Sequence, residues 1–405
     1  MKKNKLFIYT LIIISFISIL LGMTTYRSFI LDAIDHKGRI IFEKLFITEE
    51  VLLNIEKIKK NYIEDANGNT KIKEYNKELK TITILNYSHL DDSYIYEIAL
   101  NAEAVIPNIT SKTLLIVYPI GKYISSDEPK FNNTRHRGNT YESVVTSDQI
   151  NQIIRDISSY FDETDCPKLI DTELRLGELV WWMEAGGGNG LNQSVNKCLH
   201  YRLATAAIPN YFNIKNFGEA FYIDNLIYHE LYHSFQKNNY SNFLDSYPSK
   251  LSDEEWYQYK SSQKCKFGNE DYWIIEGAAE YFSHYMTLRD YGMLNSFRSL
   301  LLSQKYENEW KSNKFSRENI DYYEKGVVAL MLMIEKGWLK EKSLLNGTLF
   351  DNCNYSRISK SSKLQFIKDN YYKISIKEGC EANLYAGNCA WDDNLYYFDF
   401  SILQE

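Results

Sequence analysis

Within the segment LIYHELYHSF, residues 226–235, His229 and His233 stand four positions apart with Glu230 directly after the first. An α-helix stacks residues i and i+4 on one face, so the two imidazoles meet a common partner if this segment is helical. In that geometry His229 and His233 offer two nitrogens to one ion, and Glu230 reaches water held by it. A catalytic zinc needs a third protein ligand and an open position. The competing reading is a buried helix face, with Leu226, Ile227, Leu231 and Phe235 as a core stripe and two hydrogen-bonded histidines.

The first thirty residues bear on compartment. MKKNK is followed by an uncharged apolar run from Leu6 to Met23. As a helix this run would extend roughly 27 Å, close to the hydrocarbon thickness of a bilayer. It is longer than the apolar region of most cleaved signal peptides and has no clear A-x-A-like site, which favours an uncleaved anchor over secretion after cleavage. Lys2, Lys3 and Lys5 would hold the N-terminus inside, leaving the rest of the chain outside the cytoplasm. Six cysteines form no C-x-x-C pair, which argues against a zinc ribbon or a thioredoxin-type motif. The net charge of -7 and the lack of a concentrated basic block argue against nucleic acid as a partner.

A chain of 405 residues, 44% of them apolar, suits two or three domains with sizeable cores. After the anchor (1–30), residues 31–64 read as a charged amphipathic helix. The runs 80–90, 94–106 and 112–124 are β-branched and aromatic, which predicts short strands in a membrane-proximal domain spanning 31–165. Residues 125–143 read as a loop and SDQINQIIRDISSYF, 147–161, as a helix. The segment 172–193 reads as one or two strands interrupted by Gly186, Gly187, Gly188 and Gly190. These glycines are either a plain turn or an edge strand along which a peptide could lie. Long helical patterns follow Cys198. The division expected is a catalytic domain at 166–345 and a C-terminal extension at 346–405.

The third ligand must come from elsewhere in the chain. In YWIIEGAAEYFSHY, residues 272–285, Glu276, Glu280 and His284 share one helical face, and any of them could face a metal. The pattern W-x-x-E-G-x-A-E-Y resembles the second zinc-binding helix of the gluzincin metallopeptidases, in particular the aminopeptidase N and glycyl aminopeptidase families. DYYEKGVVALMLM, residues 321–333, is similar to the Y-E-K-G helix start of the aminopeptidase N family. The resemblance covers roughly residues 180–340. It implies Glu276 as third zinc ligand, Glu280 as support for a ligand histidine, and Tyr323 as donor to the oxyanion. For Tyr323 the alternative is plain packing at a helix start.

Two departures qualify the likeness. The interval from His233 to Glu276 is 276 − 233 = 43 residues, longer than in the aminopeptidase N family, and calls for a surface insertion over 238–271. The Gly-x-x-Glu element that holds the substrate's free amine in those aminopeptidases has its nearest counterpart in GNGLNQ, with Asn192 where the Glu would be and Glu184 eight positions earlier. The metzincin pattern fails, because Gln236 and Asn239 occupy the places of its Gly and His.

The resulting expectation is an α+β protein whose thermolysin-like zincin catalytic domain, an edge β-sheet plus helices, follows a transmembrane segment and a small strand-containing domain. His229, His233 and Glu276 would hold Zn2+, Glu230 would act as general base and Tyr323 as oxyanion donor in the hydrolysis of a peptide or protein substrate outside the cytoplasm. The alternative is a catalytically inactive, membrane-tethered binding or scaffold protein that keeps the fold.

Overall fold

The computed structural model describes residues 78–106, 111–124, 140–164, 179–180, 183–184, 190–194, 200–238, 252, 254–255, 271–294, 297, 301, 322–371, 376–378 and 396–398. The apolar run at 6–23 and the helix expected over 31–64 lie outside the described residues. Among the described residues no helix is long and apolar enough to cross a membrane.

Strand β1 (Ile82–Asn86), helix α1 (Asp92–Val105) and strand β2 (Lys112–Ile120) form a β-α-β unit with the two strands parallel. The strand expected over 94–106 is therefore a helix. Asp91 caps its N-terminus, the carboxylate accepting from the Ser93 amide at 2.8 Å. Its buried residues Tyr94, Ile95, Ile98, Ala99 and Ala102 recur at helical spacing, a period that the β-branched residues disguise in the sequence.

Strand β3 (Tyr123–Ile124) pairs antiparallel with β4 (Thr140–Tyr141), two residues in each, so part of the stretch 125–143 expected as a loop is strand. Helix α2 (Ser147–Asp162) then forms where the sequence places it. It starts at a capping box between Thr146 and Gln149 and buries Ile150, Ile153, Ile157 and Phe161. Over the glycine-rich stretch the backbone at 183–184 is helical, and the strand β5 (Gly190–Ser194) begins at the last glycine.

Strand β6 (Tyr201–Pro209) joins these pieces. The sheet order is β1-β2-β6-β5, with β6 parallel to β2 over nine residue pairs and β5 antiparallel to β6. Strands from both sides of the boundary expected at residue 165 thus lie in one sheet. Every residue of β6 is buried, and β2 is nearly so, as expected of strands covered on both faces. Alternate residues divide between two cores. Leu115, Val117, Ala204, Ala206 and Ile208 face the larger one, and Leu114, Ile116, Tyr118, Tyr201 and Leu203 face the one closed by α2.

The larger core holds α1 and three long helices: α3 (Phe217–Asn238), α4 (Tyr272–Asp290) and α5 (Tyr322–Glu335). Helix α3 contacts the sheet on one side and α4 on the other, so its faces are buried nearly all round. Helix α5 packs on α4. Beyond it, α6 (Glu341–Leu345), a 3₁₀ segment (Thr348–Cys353), α7 (Asn354–Ser359) and α8 (Ser362–Asn370) complete this core, and β7 (Ile376–Glu378) pairs with β8 (Tyr396–Phe398) as a separate ribbon.

Candidate metal centre

Helix α3 presents His229 and His233 one turn apart, and α4 brings Glu276 against them. The Nε2 atoms of the two histidines lie 3.0 Å from each other, and Glu276 Oε2 lies 3.5 Å from His229 Nε2 and 3.1 Å from His233 Nε2. Among the described residues, these three form a group of side chains whose donor atoms all converge within 4.8 Å.

What stands behind each imidazole determines what it presents in front. The Gln236 side-chain NH2 donates to the Ile275 carbonyl at 2.6 Å, so its oxygen is the atom facing His233 Nδ1 at 2.9 Å, and that nitrogen must donate. Similarly, His229 Nδ1 donates to Glu280 Oε2 at 3.0 Å. In their neutral forms both rings then carry the proton on Nδ1 and turn Nε2 lone pairs toward Glu276. Glu276 Oε2 is buried and, though close to both nitrogens, has no hydrogen bond to either.

Three lone-pair-bearing atoms facing one another out of water are stable only with a cation or a shared proton among them. Ligands at the zinc distances of roughly 2.0–2.1 Å in a tetrahedron are about 3.3 Å apart. The observed separations of 3.0, 3.1 and 3.5 Å bracket that value. Two nitrogens and one carboxylate oxygen are also a donor set that zinc accepts. The residues therefore fit the ion.

The electrostatics agree with this reading. Burial alone would drive the His229 imidazole down, but the carboxylates of Glu276 and Glu280 outweigh it and push it up to about 10. Burial would raise Glu276, yet His233 and His229 pull its carboxyl well below the usual range. The site thus favours positive charge at its centre. Glu230, 6% exposed, is raised chiefly by burial, with His229, His233 and Arg202 drawing it back and Glu276 adding to the rise. Tyr118 on β2 is raised by burial and then by the Glu230 charge.

Of the residues singled out in the sequence, His229, Glu230, His233, Glu276 and Glu280 come together here. Tyr323 falls in the first turn of α5, and its side chain lies outside the described residues. His284 lies behind Glu280 and away from the three converging atoms, with its Nδ1 2.9 Å from the Glu280 carbonyl oxygen and 3.0 Å from the Asn225 amide nitrogen. Gln236 and Asn225 were not identified as supports from the sequence. A polar residue three after a ligand histidine was the available signal for Gln236, and Asn225 left none. Compared with protein-family models, with curated proteins and with solved structures, the chain matches none of them.

Proposed function

We propose that this chain is a zinc-dependent metallopeptidase of gluzincin type with a zincin catalytic domain, held to a membrane by its N-terminal apolar segment and working outside the cytoplasm. The observation that carries this reading is the convergence of His229 Nε2, His233 Nε2 and Glu276 Oε2 beside a buried Glu230.

His229, His233 and Glu276 would hold the zinc, which would supply Lewis-acid polarisation of a carbonyl and activation of water near neutral pH. Glu230, next to a ligand on the same helix, takes the proton as water adds to the scissile carbonyl and delivers it to the departing amine. The burial that raises its carboxyl suits it to hold that proton in transit. Glu280 and Gln236 fix the tautomers of His229 and His233 so that Nε2 stays available. Tyr323 donates to the carbonyl oxygen as charge builds there. Among the described residues β5 is the edge strand of the sheet, and its outer edge would offer backbone donors and acceptors to an extended peptide.

The test is hydrolysis of a mixed peptide library by the full-length protein. Cleavage is expected to stop on chelation, return with zinc, and be lost in Glu230→Gln. Cleavage at the parent rate by Glu230→Gln would contradict the mechanism, and no cleavage by the zinc-loaded parent would favour the inactive binding protein.

A further inference from the structure

Two glycines mark the crossing of α4 and α5. A Cβ placed on Gly277 would lie 2.4 Å from the Gly326 carbonyl carbon and 2.7 Å from its Cα. One placed on Gly326 would lie 2.5 Å from the Trp273 carbonyl oxygen and 2.9 Å from the Gly277 Cα. These neighbours are backbone atoms, which cannot swing aside as the end of a side chain does, so a single methyl on either glycine forces the helices apart. Both glycines lie inside helices, where each costs roughly 0.5–1 kcal/mol relative to Ala. Helix axes pack about 8–10 Å apart according to the side chains between them, and a pair of glycines brings two axes to the near end of that range.

The neighbours of the crossing in sequence give it a chemical meaning. Glu276 immediately precedes Gly277 on α4, and Tyr323 stands one turn before Gly326 on α5. The tightest approach of the two helices is thus at the metal-ligand end of one and the first turn of the other. Past the crossing, α5 continues through Val327, Val328, Ala329 and Leu330, all fully buried in the common core, so the helix is held rigidly once the glycines meet.

We infer that Gly277 and Gly326 are positioning residues for the reaction: their side-chain-free contact sets how closely the first turn of α5, with Tyr323, approaches Glu276 and its metal. The inference rests on the peptidase reading above. A displacement of about 1 Å at a reacting group can cost on the order of 100-fold in rate. A methyl at Gly326 enforces a displacement of that order.

The test is a double-mutant cycle on the full chain. Gly326→Ala is expected to lower kcat about 100-fold while KM and zinc content change less than about threefold. In a Tyr323→Phe background the same substitution is expected to cost little, because the group it displaces has gone. An equal loss of kcat in both backgrounds would overturn the positioning role and leave the peptidase reading standing. A fully active Tyr323→Phe protein would overturn the Tyr323 assignment and this inference together, while zinc-dependent cleavage by the parent would still support the peptidase. Should the alanine variant not fold, a crystal structure of the parent with a hydroxamate inhibitor decides. A Tyr323 hydroxyl within about 3.2 Å of the inhibitor oxygen sustains the inference, and one beyond about 5 Å overturns it.

Discussion

Glu280 Oε2 accepts a hydrogen bond from His229 Nδ1 at 3.0 Å, one helical turn beyond the carboxylate that faces the front of the same ring. The contact holds the imidazole in the tautomer that turns the Nε2 lone pair toward Glu276, and it would raise the basicity of that nitrogen toward a metal. Glu280 is itself kept ionised. Burial would raise its carboxyl, but His284 and His229 more than compensate.

Removing that support has a defined cost. Glu280→Gln is expected to weaken zinc binding about 10- to 100-fold without abolishing it, and Gln236→Leu to do the same through His233. Competition with a metallochromic chelator measures both. Unchanged zinc affinity in the two variants would show that neither residue orients a ligand.

A second prediction concerns pH. Asp224, on α3 five residues before His229, is 6% exposed and accepts a hydrogen bond from the Tyr94 hydroxyl. Burial pushes its carboxyl up to about 8, with Asp290 and Glu97 adding to the rise and the Tyr94 and Tyr291 hydroxyls opposing it. The folded state therefore keeps a proton that the unfolded chain releases near 3.8. The protonated carboxyl contributes its full stability below about 4, and this is lost progressively as pH rises from there toward 8. Asp224→Asn keeps the acceptor and removes the titration. In urea unfolding of metal-free protein at several pH values across this window, the variant is expected to lose stability less steeply than the parent. Parallel profiles would contradict the assignment.

The third prediction concerns which peptides are cut. Asn192 lies on β5 opposite Ala204 of β6, and the nearby carboxylate Glu184 is exposed at a helical turn eight positions earlier. An amide cannot neutralise an ammonium group brought into a dry cleft, and an unpaired charge there is costly. N-acetylated peptides are therefore expected to be cleaved at least as well as free ones, at internal bonds. Mass-spectrometric products confined to removal of the first residue from unblocked peptides would contradict this and return Glu184 as the amine anchor.

The residues of the centre were legible because their spacing is local. His229 and His233 need no partner to reveal an i, i+4 face, and Glu276 is marked by the glycine and acid around it. Gln236 was legible as a residue and not as a support, since its role depends on the Ile275 carbonyl of another helix. Helix α1 was misread as strand because Tyr94, Ile95 and Ile98 favour strands locally. The core that they fill is closed by α3 from more than a hundred residues away. Parallel pairing of β2 with β6 likewise leaves no local mark, so the sheet crosses a boundary that composition suggested. The Gly277–Gly326 contact became visible only when two helices lay side by side.

The most direct measurement is anomalous diffraction across the zinc absorption edge from crystals of the zinc-loaded protein. The account predicts one peak per chain, about 2.0–2.2 Å from His229 Nε2, His233 Nε2 and Glu276 Oε2 together, present in Glu230→Gln and absent in His233→Ala. A zinc-loaded crystal with no peak among these three atoms, or with its peak elsewhere in the chain, would contradict it.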